Sequence, residues 1–231
     1  MGRPLRACLG GYVYHVLNRA NGRLTLFHKD GDYDAFHRVL AEACLRLPMR
    51  VLSWCVMPNH WHLVLWPRAD GELSRFVGWL TLTHTQRWHA HYHNTGTGHL
   101  YQGRFKSFPV QEDEHLLTVC RYVERNPLRA GLVKRAEDWR WCSLWQRRAN
   151  TALAQAALRE WPVPCPSTWL AEVNAVQTLG EVEALRRCVR RGQPFGEEAW
   201  VESTVKGLGL EGTIRPQGRP RKAKPTGENG S

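Results

Sequence analysis

His60 and His62 stand two residues apart in the run HWHLVLW. If that run is a β-strand, their imidazoles leave the same face while Trp61 turns the other way with Leu63 and Leu65. Two imidazoles side by side suit two ligand positions on one divalent cation. Taken alone, the pattern describes two half-exposed surface histidines equally well. A second group of residues strengthens the chemical reading. In CRYVERNPLR, Tyr122 and Asn126 are four apart and share one helical face, with Arg121 and Arg125 as a parallel pair beside them. If this helix crosses the open face of the sheet, Asn126 supplies an oxygen to the metal and Tyr122 reaches a phosphate bound to it. A cation on a non-bridging oxygen neutralises phosphodiester charge and orients the bond for in-line attack, while the Tyr122 phenolate forms a phosphotyrosine. The covalent link conserves the bond for rejoining, so no ATP is needed, and the sequence has no GxxxxGK[ST] run. Asn126 precedes a proline, which biases its backbone away from helix. Without the histidine pair, Tyr122 reads as a helix tyrosine packed on a sheet.

The elements that must position these groups follow from periodicity. GYVYHVLNR is β-branched and aromatic and reads as a first strand ending near Arg19, followed by an Asn21-Gly22 turn. Asp32 is a plausible helix cap, after which Phe36, Val39, Leu40, Ala43 and Leu47 recur at helical spacing until Pro48. RVLSWCV and HWHLVLW flank Met57-Pro58-Asn59 and form an antiparallel hairpin. A second helix runs from about Glu72 with Leu73, Phe76, Val77, Leu80, His84 and Trp88 on one stripe. LYQGRFKSFPV is a further strand, and 112–125 a third helix stopped by Asn126-Pro127. This order predicts an α+β fold: a ferredoxin-like split βαβ sheet whose two crossover helices cover one face, with an additional catalytic helix and a C-terminal extension. The divisions are residues 1–145 for the catalytic domain, 146–217 for the extension, and 218–231 for a basic tail too poor in apolar residues to order by itself.

The chain carries 32 lysines and arginines against 21 acidic residues, a net charge of +11, which draws it to polyanions through counterion release. No apolar run approaches the roughly 18 residues needed to cross a bilayer, so no membrane role is expected. The N-terminal residues lack a signal-peptide core, which places the protein in the cytoplasm. Seven scattered cysteines with no CxxC pair argue against a disulfide framework and a zinc-cysteine site. In YQGRFKSFPV, Arg104 and Lys106 share one strand face and Tyr101 and Phe105 the other, an interleaving that suits backbone neutralisation and base stacking on single-stranded nucleic acid. Arg19 and Arg23 are further DNA-contact candidates. The histidines at 84, 89, 91 and 93 read mainly as a solvated polar end, with His84 and His91 the two that approach DNA if any do. In the tail, Arg219 and Arg221 lie in GRPRK, which resembles an AT-hook core whose arginines enter a narrow minor groove.

Together YHVLNR, MPNHWHLVL, YQGRFKS and CRYVERNPLRAGLV, in that order from about Tyr12 to Trp145, resemble the REP-associated tyrosine transposases, a branch of the single-tyrosine HUH transposases. RRGQPFGEEAW and IRPQGRPRK are similar to the family's extension. The resemblance implies magnesium or manganese as cofactor, and an endonuclease and strand transferase acting on single-stranded DNA at repetitive extragenic palindromic hairpins. It assigns His60 and His62 to the metal, Tyr122 to the nucleophile that becomes linked to the 5′ phosphate, and Asn126 to the helical amide position. A monomer is expected, with a dimer as the alternative. Competing readings are a hairpin-binding regulator that no longer cleaves, the transposase of a mobile insertion sequence, and a ferredoxin-like RNA-binding module, for which GRFKSF is a partial match.

Overall fold

Alternation of apolar residues builds a four-stranded sheet. In the computed structural model, which describes residues 8–96 and 98–215, the strands are β1 (Val13–Arg19), β2 (Arg50–Met57), β3 (His60–Trp66) and β4 (Lys106–Val110), all antiparallel in the order β2-β3-β1-β4. Helices α1 (Asp30–Arg46) and α2 (Glu72–His91) make the two crossovers. The connectivity is the split βαβ arrangement expected from the sequence. Among the described residues no helix is long and apolar enough to cross a membrane.

The two sheet faces bury different layers. Tyr14, Val16, Trp54, Trp61, Leu63 and Leu65 pack with Phe36, Leu40, Phe76 and Leu80 of the crossover helices. The opposite strand positions, among them Val13, Cys55, Val64 and Phe108, pack with α3 (Glu114–Glu124) and residues of the extension. The sequence left this second face open except for the catalytic helix. It is instead largely covered, because α5 (Ser143–Arg148), α7 (Trp169–Asn174) and α8 (Leu179–Arg191) wrap back onto it, while α6 (Ala152–Ala157) packs against α1 in the other layer. A short α4 (Asn126–Arg129) links α3 to this region, and α9 (Glu198–Leu208) lies beyond α8. The extension therefore completes a core rather than hanging from one.

Three local expectations are corrected. Asp32 does not cap α1; it sits in the first turn, where its carboxylate accepts the backbone N–H groups of His28 and Lys29 at 2.8 and 3.2 Å and the Tyr92 hydroxyl at 2.7 Å. Regular strand structure in LYQGRFKSFPV begins only at Lys106, since Gly103 adopts φ +139° and breaks the pleat, leaving Tyr101 as a lone bridge to Ala20. His84 is core: it is 3 % exposed, and its Nδ1 hydrogen-bonds the Tyr101 hydroxyl at 2.8 Å, which in turn accepts from Trp61 Nε1 at 3.0 Å. It follows the apolar stripe and does not approach a ligand.

Burial lowers the pKa of His84 to about 4, opposed weakly by Asp32, and burial alone lowers His37 to about 4. The unfolded chain then binds more protons than the folded one below the ordinary histidine value near 6.5, so stability is intact above that pH and is lost as pH falls toward 4. Each histidine should cost about 1.4 kcal/mol per pH unit in that window. Urea unfolding at a series of pH values should show this slope, and His84→Gln should reduce it; an unchanged slope would contradict a neutral buried His84.

Candidate active site

The register of β1 against β3 assembles the histidines. Arg19 lies opposite His60 and Leu17 opposite His62, with His15 one pair further along the same face. His15 and His62 share a hydrogen bond of 2.8 Å between Nε2 and Nδ1, and His60 Nδ1 donates to the Asn59 side-chain oxygen at 2.6 Å. The second contact fixes the His60 tautomer, leaving the Nε2 lone pair free. With the shared proton on His62 Nδ1, the same holds for His62. Both rings are neutral: burial pushes His60 down to about 3, helped by Arg19 and Arg129, and pushes His62 well below its ordinary value, helped by His60 and His15. His15, 1 % exposed and driven to about 3 by burial and then His60, was absent from the sequence reading. Its signal was there, because His15 alternates with Tyr14 and Val16 and so points to the face carrying the pair.

Tyr122 faces this row from α3, with its ring centroid 5.8 Å from that of His62 and 6.3 Å from that of His15, nearly edge-on to both. As the sequence predicts, α3 stops ahead of Asn126-Pro127, at Glu124, and the chain then makes a further turn as α4. Proline removes one N–H, yet Arg125 donates to the Arg121 carbonyl, Arg129 to that of Arg125 and Ala130 to that of Asn126, so one more turn follows until Gly131 at φ +70°. Asn126 therefore keeps its place one turn from Tyr122, and Arg129 falls on the same face a turn later. Its guanidinium lies 4.1 Å from the Tyr122 ring centroid and donates to the Asn126 side-chain oxygen at 2.8 Å.

That turn reassigns the arginines. Arg121 and Arg125, expected beside the tyrosine and on DNA, instead donate to the carbonyls of Ala175 and Val176 and of Val173 and Asn174, at the end of α7. They clamp the extension, because the exposed carbonyls of a helix end attract guanidinium groups. Arg129 takes the position assigned to them.

Arg19, Arg23, His60, His62, Tyr122, Asn126 and Arg129 line one cleft of about 590 Å³, to which α8 contributes Glu183, Arg186 and Arg190. A neighbouring groove carries Arg104 and Lys106, together with Arg19, Arg23 and Arg190. The basic residues of 101–110 thus reach the site, but Tyr101 and Phe105 are buried in the opposite core and offer no stacking surface. Arg219 and Arg221 lie outside the described residues. Two buried donors at the cleft, Arg19 Nε and Asn126 Nδ2, have no protein partner. Among the described residues no three of His, Cys, Asp and Glu converge on a metal position. Two neutral imidazoles with free Nε2 lone pairs suit a divalent cation; the Asn126 oxygen assigned as a third ligand already accepts from Arg129 and would have to be shared.

The antiparallel ferredoxin-like sheet thus carries a histidine pair on a central strand, with a tyrosine helix facing it. Residues 8–126, more than half of the chain, match the family described as "Transposase IS200 like", and the chain belongs to that family. Within it the similarity falls on the REP-associated tyrosine transposases. The chain is 24 % identical over 130 residues to the REP-associated tyrosine transposase of Escherichia coli strain K12, covering 56 % of this chain and 74 % of that one. To the putative REP-associated tyrosine transposase of Haemophilus influenzae it is 23 % identical over 124 residues, 48 % of this chain and 69 % of the relative. A solved REP-associated tyrosine transposase bound to a REP hairpin superposes with a TM-score of 0.52 at 18 % identity, over 71 % of this chain and 95 % of that one, and so shares its fold.

The tyrosine helix is held from behind by Glu124, which is fully buried. Its Oε1 accepts from Ser143 at 2.6 Å, Ser53 at 3.2 Å and Arg147 at 3.2 Å, and its Oε2 from Trp169 Nε1 at 2.8 Å. Glu124→Ala would strand several of these donors and should cost about 3 kcal/mol. For a chain of this length that is a fall in Tm of roughly 6–12 °C, measurable by calorimetry; a fall of under about 2 °C would show that the carboxylate does not hold the layer together.

Proposed function

We propose that this protein cleaves single-stranded DNA beside hairpins and rejoins it through a 5′-phosphotyrosine on Tyr122. The observation that carries the reading is the juxtaposition of Tyr122 with the neutral His60 and His62 in a cleft that also carries five arginines, Arg19, Arg23, Arg129, Arg186 and Arg190. Such a cleft is built for a polyanion. The hairpin as partner is supported by the similar transposase solved with a REP hairpin.

The Tyr122 oxygen attacks phosphorus, the phosphorus–oxygen bond to the preceding nucleotide breaks, and that nucleotide leaves with a 3′ hydroxyl after taking a proton. Rejoining is the reverse: a 3′ hydroxyl attacks the phosphotyrosine and returns the oxygen to Tyr122. No bond energy is lost between the two steps. Arg129 braces the Tyr122 ring and brings positive charge beside the phosphate, while Arg19 opposes the charge that develops on its oxygens. His15 holds the His62 ring in place and Asn59 that of His60. Magnesium or manganese on His60 and His62 would supply charge neutralisation at the phosphate. Imidazole nitrogens suit manganese better than the harder magnesium ion.

Incubating the protein with a labelled DNA hairpin flanked by single strands should give a covalent adduct that survives denaturation. Tyr122→Phe should abolish the adduct while still binding the probe. His60→Ala and His62→Ala should slow cleavage by roughly 100-fold or more, as should chelation of divalent ions, with manganese the better restorer. Binding without cleavage in either metal would instead indicate a hairpin-binding regulator. Arg104→Ala combined with Lys106→Ala should weaken binding and reduce the slope of log affinity against log salt by about 1.4 for two lost contacts to a single strand; unchanged binding would remove that groove from the DNA path.

A further inference from the structure

The arginines of α8 lie outside every contact assigned above. The helix is capped by Thr178, whose hydroxyl accepts from the Glu181 N–H, and it buries Val182, Leu185 and Cys188 against the domain. Glu183, Arg186 and Arg190, spaced three and seven residues apart, occupy one solvent-facing stripe, and all three line the cleft that holds Tyr122 and His60. Arg186 is close enough to Arg129 to depress its guanidinium pKa, although burial is the larger cause. Glu183 is 3.2 Å from Arg186 and 3.9 Å from Arg190. Glu183 is the one acidic residue among those lining this cleft, and it engages the two arginines of its own helix.

We infer that α8 is a phosphate-gripping wall: Arg186 and Arg190 bind successive phosphodiesters of the strand that crosses Tyr122, and Glu183 is the intramolecular competitor they release on binding. The three side chains are 50–62 % exposed, and ion pairs so exposed are weak, so the arginines exchange Glu183 for phosphate at small cost. The bound strand then lies between two cationic walls, Arg19 and Arg23 on the sheet side and Arg186 and Arg190 on the extension side. Because Glu183 stays nearby, it also subtracts from affinity for any polyanion that reaches only this wall, so tight binding requires a strand that engages both. This rests on the cleft being the DNA path, as proposed above.

The test uses the full chain and the labelled hairpin with single-stranded flanks. Arg186→Ala with Arg190→Ala should lower affinity on the order of tenfold and reduce the salt slope by about 1.4, whereas Arg187→Ala, off the cleft on the same helix, should do neither. Glu183→Gln should raise affinity several-fold, and that gain should vanish in the Arg186→Ala, Arg190→Ala background. Thermal melting of each variant checks that α8 still docks. Unchanged affinity and slope in the double variant, or weaker binding by Glu183→Gln, would overturn the inference. The catalytic reading is scored separately, by whether wild type but not Tyr122→Phe forms the adduct; absence of any wild-type binding would sink both.

Discussion

A fully buried carboxylate holds four elements in register. Glu124 sits two residues beyond Tyr122, and its oxygens collect hydroxyls from β2 and α5, a guanidinium from α5 and an indole N–H from α7. A carboxyl group this deep is tolerated only where its oxygens are answered, so every partner must be present for any of them to be well placed. The geometry at the cleft inherits that demand. Tyr122 leaves the opposite side of the same helical turn, and its position over the histidines is therefore set by contacts with a segment far along the chain. The arginines at 121 and 125 add to this by gripping the end of α7. The extension is thus part of the apparatus that aims Tyr122.

Much of the frame was legible in the sequence because it depends on short-range periodicity. Alternation placed Trp61, Leu63 and Leu65 against the crossover helices and His60 with His62 on the other face, and the sheet order followed from the sequence of elements. Helical spacing paired Tyr122 with Asn126. What failed depended on partners distant in sequence. Arg121 and Arg125 look like free cations until α7 is seen to meet them, and His84 looks solvated until Tyr101 and Trp61 enclose it. Glu124 and its serines carry no local mark, since a buried acid is recognised only by what surrounds it.

Proline at 127 acts in a different way. It interrupts a helix by withholding one donor, but the following carbonyl and N–H groups resume the ladder for another turn. The stop falls where the sequence places it, but the turn beyond it brings Arg129 to the site. Arg129 was predictable from the spacing that linked Tyr122 to Asn126, had the pattern been carried past the proline.

The hydrogen bond between His15 and His62 joins residues on adjacent strands that are separated along the chain by the whole of α1 and β2. The strand with the paired histidines therefore depends on the strand that steadies them, although nothing in their spacing shows it. A recombination between diverged relatives with its crossover inside α1 would yield a chimera carrying an intact histidine pair from one parent and a foreign support for it from the other. Lineages in this family that exchange segments should therefore do so outside the span from β1 to β3, and an aligned position at 15 should change in step with position 62 rather than with its own neighbours.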